Sequence, residues 1–426
     1  MLIKNARWLT AEGYFEEGHI EIEDGIIQKL GRSSSRKTSG PVIDARGYVI
    51  LPGIIDPHVH FREPGQMYKE GIRNASRAAL KGGVTTVIDM PNNRPPITNR
   101  KRVLQKRQRF EKKALVNWGI MLHATNGKAN ISDTLELVKS VKIYMAKSSS
   151  LAAVTNEAAM QKIFEQASTV SIHAEDETQF LSDQKDRLPH HEWRPRQAII
   201  SALQKIEAVL KAMSEKERPR VVICHMTTID EVQWLKRMKN ESIDVWGETC
   251  PHYLFFTQED YLQKGTLFQV NPPIRTKEDQ QALLEGLSKG IIDFIGTDHA
   301  PHTITEKQSQ NPPSGIAAIE WLMPQILYLI DQGILTWAQL NQLIAAASAH
   351  CYNIANRDGI KEGNWADLVM VKRYVEPQPD SDIVTKTSIN LYKDFDFRWK
   401  VEMTLVNGVV KFQKGKFVND AKGMAI

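Results

Sequence analysis

The residue types able to do chemistry in this chain fall at the ends of apolar runs. Tyr48-Val49-Ile50-Leu51-Pro52-Gly53-Ile54-Ile55 leads into Asp56-Pro57-His58-Val59-His60-Phe61-Arg62. Alternate side chains of a strand share a face, so His58 and His60 project together, with Asp56 deeper on the same parity. Two neutral imidazoles so placed chelate zinc and similar ions. Alone, a His-x-His pair is in most proteins no more than two polar residues finishing a strand. The placement recurs, however. Asn92 follows the run 84–90, His173 ends 169–173, His225 ends 220–225, Asp298 ends 292–298, and Lys142 lies inside Val141-Lys142-Ile143-Tyr144.

Each of these residues has an ordinary explanation. Lys142 could snorkel to a rim or pair with a carboxylate. His173 could bond Glu175 or Asp176, His225 could cap a strand, and Asp298 could cap a helix or join a salt bridge. Taken jointly, four histidines, a lysine and an aspartate at the same end of successive strands converge on one axis, and a two-metal site explains them together. A lysine held away from water can keep a free amine. Such an amine takes up carbon dioxide to give a carbamate, an anionic ligand with two oxygens, able to bridge two cations as a glutamate would. Paired divalent ions ~3.5–4 Å apart make hydroxide at neutral pH and polarise a carbonyl. Hydrolysis of a resistant amide needs both.

The elements that must position these groups follow from the hydrophobic patterning. Strands are expected at 49–58, 84–90, 115–122, 140–145, 169–173, 220–225, 243–249 and 292–298, with helical patterns at 70–81, 155–167, 196–214, 228–239 and 278–289. Gly82-Gly83 is a helix stop. Eight strands with intervening helices make a (β/α)8 TIM barrel, whose working residues sit at the carboxyl ends of its strands. Residues 2–50 read as short strands, with a polar loop over 33–41. After the eighth strand, 315–330 and 336–349 read as helical, and β texture returns from about 360 with a strand at 364–371 and a hairpin at 401–412 turning on Asn407-Gly408. The expected organisation is a barrel over 51–355, inserted into a small β-sandwich domain built from 1–50 and 356–426.

Bulk properties exclude several function classes. A formal charge of +5 on 426 residues, with no dominant lysine/arginine block, argues against a nucleic-acid partner but leaves room for an anionic small substrate. The three cysteines, Cys224, Cys250 and Cys351, form neither a Cys-x-x-Cys pair nor a disulfide framework, which points to a reducing compartment. No signal-peptide pattern and no apolar run of membrane-spanning length is visible, so a cytoplasmic protein without a membrane partner is expected.

The motifs resemble those of the dihydroorotases of the amidohydrolase superfamily over nearly the whole chain. The resemblance rests on Asp56 to Gly65, Met90-Pro91-Asn92, the Lys142 strand, His173-Ala174-Glu175-Asp176-Glu177, His225, Pro251-His252-Tyr253-Leu254, Asn271-Pro272-Pro273-Ile274-Arg275, Thr297-Asp298-His299-Ala300-Pro301-His302, and the closing segments around Gly363 to Leu368 and Val406-Asn407-Gly408. It implies that His58, His60 and Asp298 hold one zinc, that His173 and His225 hold a second, and that carboxylated Lys142 and a hydroxide bridge them. It further implies that the hydroxide attacks the ring amide of dihydroorotate while Asp298 passes the proton to the leaving nitrogen, giving N-carbamoyl-aspartate. The reverse, ring-closing direction serves de novo pyrimidine (UMP) synthesis. Arg62 would take the substrate carboxylate bidentately, with Asn92 and His302 beside it and Asn271 on the pyrimidine ring. A homodimer is implied by the resemblance alone.

The chain departs from the family pattern after Lys142, where Ala146-Lys147-Ser148-Ser149-Ser150-Leu151 replaces a Gly-Ser-Ser-Thr-Gly type of run. Lys147 thereby becomes a competitor for the carbamate, though its loop position favours Lys142. His252 is expected to shape the site, and the His190-His191 pair is expected at the surface. The polar segment 303–314 is expected to lie near the mouth, where it could close over substrate. Two other readings stand beside dihydroorotase. One is a different cyclic amidase (dihydropyrimidinase, hydantoinase or allantoinase), whose substrates lack the ring carboxylate that Arg62, Asn92 and His302 would bind. The other is a non-catalytic barrel scaffold, which relatives that lose their ligand residues would exemplify; here all six positions are filled.

Overall fold

A computed structural model describes residues 1–32, 40–126, 131–148, 153–377 and 382–426. Most of the polar loop expected at 33–41, and the end of the atypical run at 146–151, lie outside the described residues. Eight strands form one parallel sheet in chain order: Ile54–Val59, Val84–Asp89, Asn117–His123, Ser140–Tyr144, Thr169–His173, Arg220–Met226, Val245–Thr249 and Phe294–Ile295. Every adjacent pair is parallel. The first and last strands meet through a parallel bridge between Val59 and His299, where the His60 amide donates to the His299 carbonyl at 2.9 Å. The result is a (β/α)8 barrel. Asp56 fastens its seam, accepting from the Thr297 amide at 3.0 Å, the Thr297 hydroxyl at 2.5 Å and the His58 amide at 3.1 Å. Burial pushes the Asp56 carboxyl up to about 7, against the pull of those donors.

The patterning located the barrel helices unevenly. Ile72–Lys81 forms as expected, burying Ile72, Ala75, Ala78 and Ala79 on one face. It stops at Gly82-Gly83, where Gly83 takes φ +77° and a side chain on Gly82 would collide with the Ile319 carbonyl. Arg100–Lys113 has no counterpart in the expected helices. Its sequence is mostly basic, and it buries only Val103, Lys106 and Phe110, so the apolar stripe is too thin to read. The Asn99 side chain caps it by accepting from the Arg102 amide at 3.1 Å. The helix expected over 315–330 is shorter, because the chain first runs beside the eighth strand (Ile316 bridges His299) and the α-helix occupies Leu322–Asp331.

Strands from both chain ends join in a second, nine-stranded sheet. Leu2–Leu9, Phe15–Glu23, Ile26–Gly31, Val42–Asp44 and Val49–Pro52 come from the start of the chain. Leu368–Arg373, Trp399–Val406, Val409–Gln413 and Lys416–Phe417 come from its end. The two groups meet where Val49–Pro52 pairs antiparallel with Leu368–Arg373. Period-2 alternation divides these strands between two cores. Ile50, Leu368 and Met370 enter the sheet's own cluster, while Leu51, Val369 and Val371 join the main cluster of the barrel. The strand expected over 49–58 is thus two strands with different partners, separated at Gly53. Asp367 ties the sheet to the barrel. It pairs with Arg357, and its oxygens accept from the Asn117 side chain at 3.1 Å and the Asn407 amide at 2.7 Å. Because both partners of this ion pair are buried, Asp367→Ala should cost about 3–5 kcal/mol, read as a lowered midpoint in urea unfolding; a change below about 0.5 kcal/mol would mean that the tie is unimportant.

Candidate active site

Five of the six expected ligands lie at the carboxyl ends of the barrel strands or just beyond, Lys142 lies in the middle of Ser140–Tyr144, and all six are buried. His60 and Asp298 come together, with Nε2 2.9 Å from Oδ1, and the His58 Nε2 lies 3.5 Å from the same oxygen. His173 Nδ1 lies 3.0 Å from His225 Nε2, and the His58 and His225 rings are 5.2 Å apart, so the two groups adjoin. Lys142 is fully buried, with its Nζ 2.8 Å from the Cys224 sulfur. Lys147 is exposed.

The far nitrogen of three of these imidazoles is held by an acceptor. His58 Nδ1–H donates to Glu248 at 2.6 Å, His60 Nδ1–H to the Asn92 carbonyl oxygen at 2.7 Å, and His173 Nε2–H to Glu175 at 3.0 Å. Each bond fixes the tautomer and aims the remaining lone pair inward, the usual arrangement around a metal. Sequence reasoning missed Glu248, which reaches His58 from a strand 190 residues away and also accepts from the His225 amide at 3.1 Å. Room for its carboxylate depends on Gly296, where a Cβ would sit 2.8 Å from Glu248. Glu175 appeared only as an alternative partner for His173; it is in addition paired with buried Arg194.

The electrostatics ask for a cation. Burial would raise the Asp298 carboxyl, but the charge of His58, with the close contact to His60, outweighs it and holds the group well below the usual carboxylate range. Burial lowers His60, so its imidazole is neutral and its Nε2 lone pair faces an ionised oxygen. For His58, burial is outweighed by the Glu248 and Asp298 charges, which lift the ring to about 10 while no cation is bound, so a metal ion would take the place of its Nε2 hydrogen. His225 is pushed well below its ordinary value, first by burial and then by His173 and Lys142, and its Nδ1 has no hydrogen-bond partner. Nitrogen and carboxylate lone pairs that converge in this way suit a divalent ion such as zinc. His58, His60 and Asp298 qualify geometrically as one such group, and His58, Cys224 and Glu248 as another. The backbone is strained to achieve the convergence: Arg62, His225 and Asp298 adopt φ of +62°, +43° and +44°, a region that side-chain-bearing residues avoid.

The expected substrate-contacting residues are placed as follows. Arg62 and His302 lie together at the mouth, with Nη2 2.9 Å from Nε2, and the Arg62 Nε donates to the Pro301 carbonyl at 3.2 Å. Asn92 is committed to His60 and, through its Nδ2, to the Ser148 hydroxyl at 3.0 Å. Asn271 is partly exposed, and its Oδ1 accepts from His190 Nε2 at 2.9 Å. That contact corrects the expectation of a surface His190-His191 pair, since His190 is buried and supports the Asn271 segment. His252 is fully buried with neither ring nitrogen bonded, and burial lowers it to about 4. His299 accepts from the Ala318 amide at 3.2 Å. The segment 303–314 begins with a short capped helix, Ile304–Lys307. Lys307 is buried and donates to the carbonyls of Gln269, Pro313 and Gly315, which pins the segment to the barrel rim.

Comparison with known proteins agrees with this geometry. Residues 49–411 match the model of the Amidohydrolase family. The chain is 32% identical over 429 residues to a dihydroorotase of Bacillus cytotoxicus, covering 97% of this chain and 98% of that one. It is 31% identical over 430 residues to a dihydroorotase of Bacillus cereus, with the same coverage. Among solved structures, the L-hydantoinase (dihydropyrimidinase) of Arthrobacter aurescens superposes with a TM-score of 0.88 at 23% identity, covering 98% and 97% of the two chains. The dihydropyrimidinase of Brevibacillus agri superposes with a TM-score of 0.90 at 22% identity, covering 100% and 98%. At such identities the structural likeness speaks for the fold alone. Among the described residues, no helix is long and apolar enough to cross a membrane.

Glu248 offers the sharpest check of the cluster. Glu248→Leu leaves His58 Nδ1 and the His225 amide without their acceptor. Affinity for a divalent ion should fall about 10–100-fold, measured by competition against a chelator on folded protein; unchanged affinity would remove Glu248 from the site.

Proposed function

The chain belongs to the amidohydrolase family, and we propose that within it this protein is a dihydroorotase, interconverting dihydroorotate and N-carbamoyl-aspartate in pyrimidine synthesis. The observation that carries the substrate assignment is the cationic seat beside the ligand cluster. Arg62 is buried, donates to a carbonyl and faces a neutral imidazole, and among the described residues has no carboxylate at ion-pair distance. A buried guanidinium whose carboxylate neighbours (Asp298, Asp89 and Glu306) act on it only from a distance has room for a contacting anion, and a ring carboxylate fills it bidentately. The dihydroorotase names of the relatives support the same choice. Hydantoins and dihydropyrimidines, the substrates suggested by the names of the structural neighbours, carry no such carboxylate.

In this reading His58, His60 and Asp298 would hold one zinc, His173 and His225 a second, and Lys142, carboxylated in its fully buried position, would serve both. The ions would supply Lewis acidity, lowering the pKa of water and polarising the ring amide carbonyl. The chain's own groups do the rest. Arg62 and His302 anchor the carboxylate and thereby orient the ring, with Asn271 on its far side. Asn92 holds the His60 ring in place. Asp298, kept ionised by its histidine neighbours, takes the proton of the attacking water and returns it to the leaving ring nitrogen. In the cyclising direction it takes that proton from the ureido nitrogen.

Two variants test the proposal. Lys142→Ala should lower bound metal and reduce kcat by roughly 100-fold or more; full activity in that variant would eliminate the carbamate. Arg62→Met removes charged hydrogen bonds worth about 1.5–3 kcal/mol each, so kcat/KM for dihydroorotate should fall about 10–100-fold or more. Hydrolysis of dihydrouracil, where detectable, should change little; equal losses on both substrates would instead favour a cyclic amidase indifferent to the carboxylate.

A further inference from the structure

His302 sits between two hydrogen-bond donors. Its Nδ1 lies 3.0 Å from the Lys69 ammonium, and its Nε2 lies 2.9 Å from Nη2 of Arg62. Lysine and arginine side chains carry donors only, whereas a neutral imidazole has one N–H and one lone pair. Burial, then Arg62 and Lys69, hold His302 far below its ordinary value, so the ring is neutral. One of its two contacts is therefore donor against donor.

The surroundings decide which. Lys69 is buried and fixed, because Glu306 pairs with it at 2.9 Å. Glu306 is itself held by the Tyr68 hydroxyl at 2.9 Å and the Thr303 amide at 3.1 Å. Lys69 thus presents a hydrogen to Nδ1, which leaves the ring hydrogen on Nε2. The competing arrangement, Nδ1–H toward Glu306, has its acceptor at 3.6 Å, beyond hydrogen-bonding distance. With the hydrogen on Nε2, His302 and Arg62 hold two donors 2.9 Å apart with no acceptor between them. Facing donors of this kind are relieved by an anion that accepts from both.

We propose that Lys69 is a specificity-determining positioning residue: by donating to Nδ1 of His302 it makes Nε2 a donor, which completes with Arg62 a two-donor seat for the substrate carboxylate. This deepens the reading of the site given above and rests on it for the identity of the anion. Lys69 does not touch the substrate. It acts through the tautomer of His302, while Glu306 holds it in place. In the other tautomer Nε2 would accept from Arg62 and the seat would hold a single donor, so the contact from Lys69 decides what the substrate meets.

The test combines a spectroscopic and a kinetic measurement on the intact protein. In 15N-histidine-labelled protein, with His302 assigned through His302→Gln, the wild type should show the hydrogen on Nε2. Lys69→Met should move it, wholly or in part, to Nδ1, and Lys69→Arg should restore the wild-type form. Lys69→Met should also raise KM for dihydroorotate about tenfold while kcat stays within about twofold. Its affinity for orotate, titrated calorimetrically as a non-reacting carboxylate, should weaken by the same factor. A wild-type His302 with its hydrogen on Nδ1 would overturn the proposal without recourse to any variant. So would a Lys69→Met enzyme whose KM is unchanged, or whose loss falls on kcat alone. Should the wild type neither turn over dihydroorotate nor bind orotate, the assigned substrate falls, while the histidine spectra still decide whether Lys69 sets the tautomer.

Discussion

A neutral imidazole lone pair and an ionised carboxylate oxygen face each other 2.9 Å apart between His60 and Asp298, and the mouth of the barrel is built around keeping them so. Two acceptors at that distance repel unless a cation lies between them. The surrounding groups prevent the pair from escaping by protonation or rotation. Asn92 takes the only hydrogen of His60, so the ring cannot turn its lone pair away. The charge of His58 holds Asp298 ionised despite its burial. Glu248 performs for His58 the office that Asn92 performs for His60, and Glu175 does so for His173. At His58, His60 and His173 the hydrogen of the far ring nitrogen is drawn outward, away from the cluster.

The rim shows the opposite arrangement. At Arg62 and His302 it is donors that face each other, at the same 2.9 Å, and the missing partner is an anion. One mouth therefore presents two adjacent unsatisfied demands of opposite sign, a cation deeper in the barrel and a carboxylate at its edge. Their proximity follows from the chain itself, since Arg62 lies two residues beyond His60 on the same strand end. The backbone at Arg62 is left-handed, and its side chain meets Pro301 and His302. A substrate that carries an amide and a carboxylate on one small ring meets both demands at once.

Much of the supporting structure is concerned with the cost of burying charge. Asp56 uses its carboxylate to close the barrel seam. Lys106, buried in the helix Arg100–Lys113, pairs with Asp89 at 2.5 Å, and Asp89 in turn accepts from the Phe61 amide at 2.7 Å, next to Arg62. Lys307 spends its donors on three carbonyls. Single removal of such partners leaves an uncompensated buried group, which is why the site is expected to be sensitive well beyond the atoms that meet substrate.

The sequence by itself determined the barrel and the identity of the groups at its mouth. Apolar runs of strand length alternate with amphipathic stretches, and polar residues placed at the ends of those runs must emerge at one end of a parallel barrel, because parallel strands all point the same way. His58, His60, His173, His225 and Asp298 could be found on that ground without any knowledge of contacts. The helix Arg100–Lys113 could not, because its buried face holds a lysine and only two apolar residues, and periodicity detects only apolar stripes. The tertiary structure alone decided the partners. Glu248, Lys69 and His190 carry no local signal, since each acts through a residue 80 or more positions away. Which nitrogen of a histidine holds its hydrogen depends on what stands opposite in space. The chain encodes which groups arrive, and only the closed barrel fixes whether a lone pair or a hydrogen is presented to the ligand.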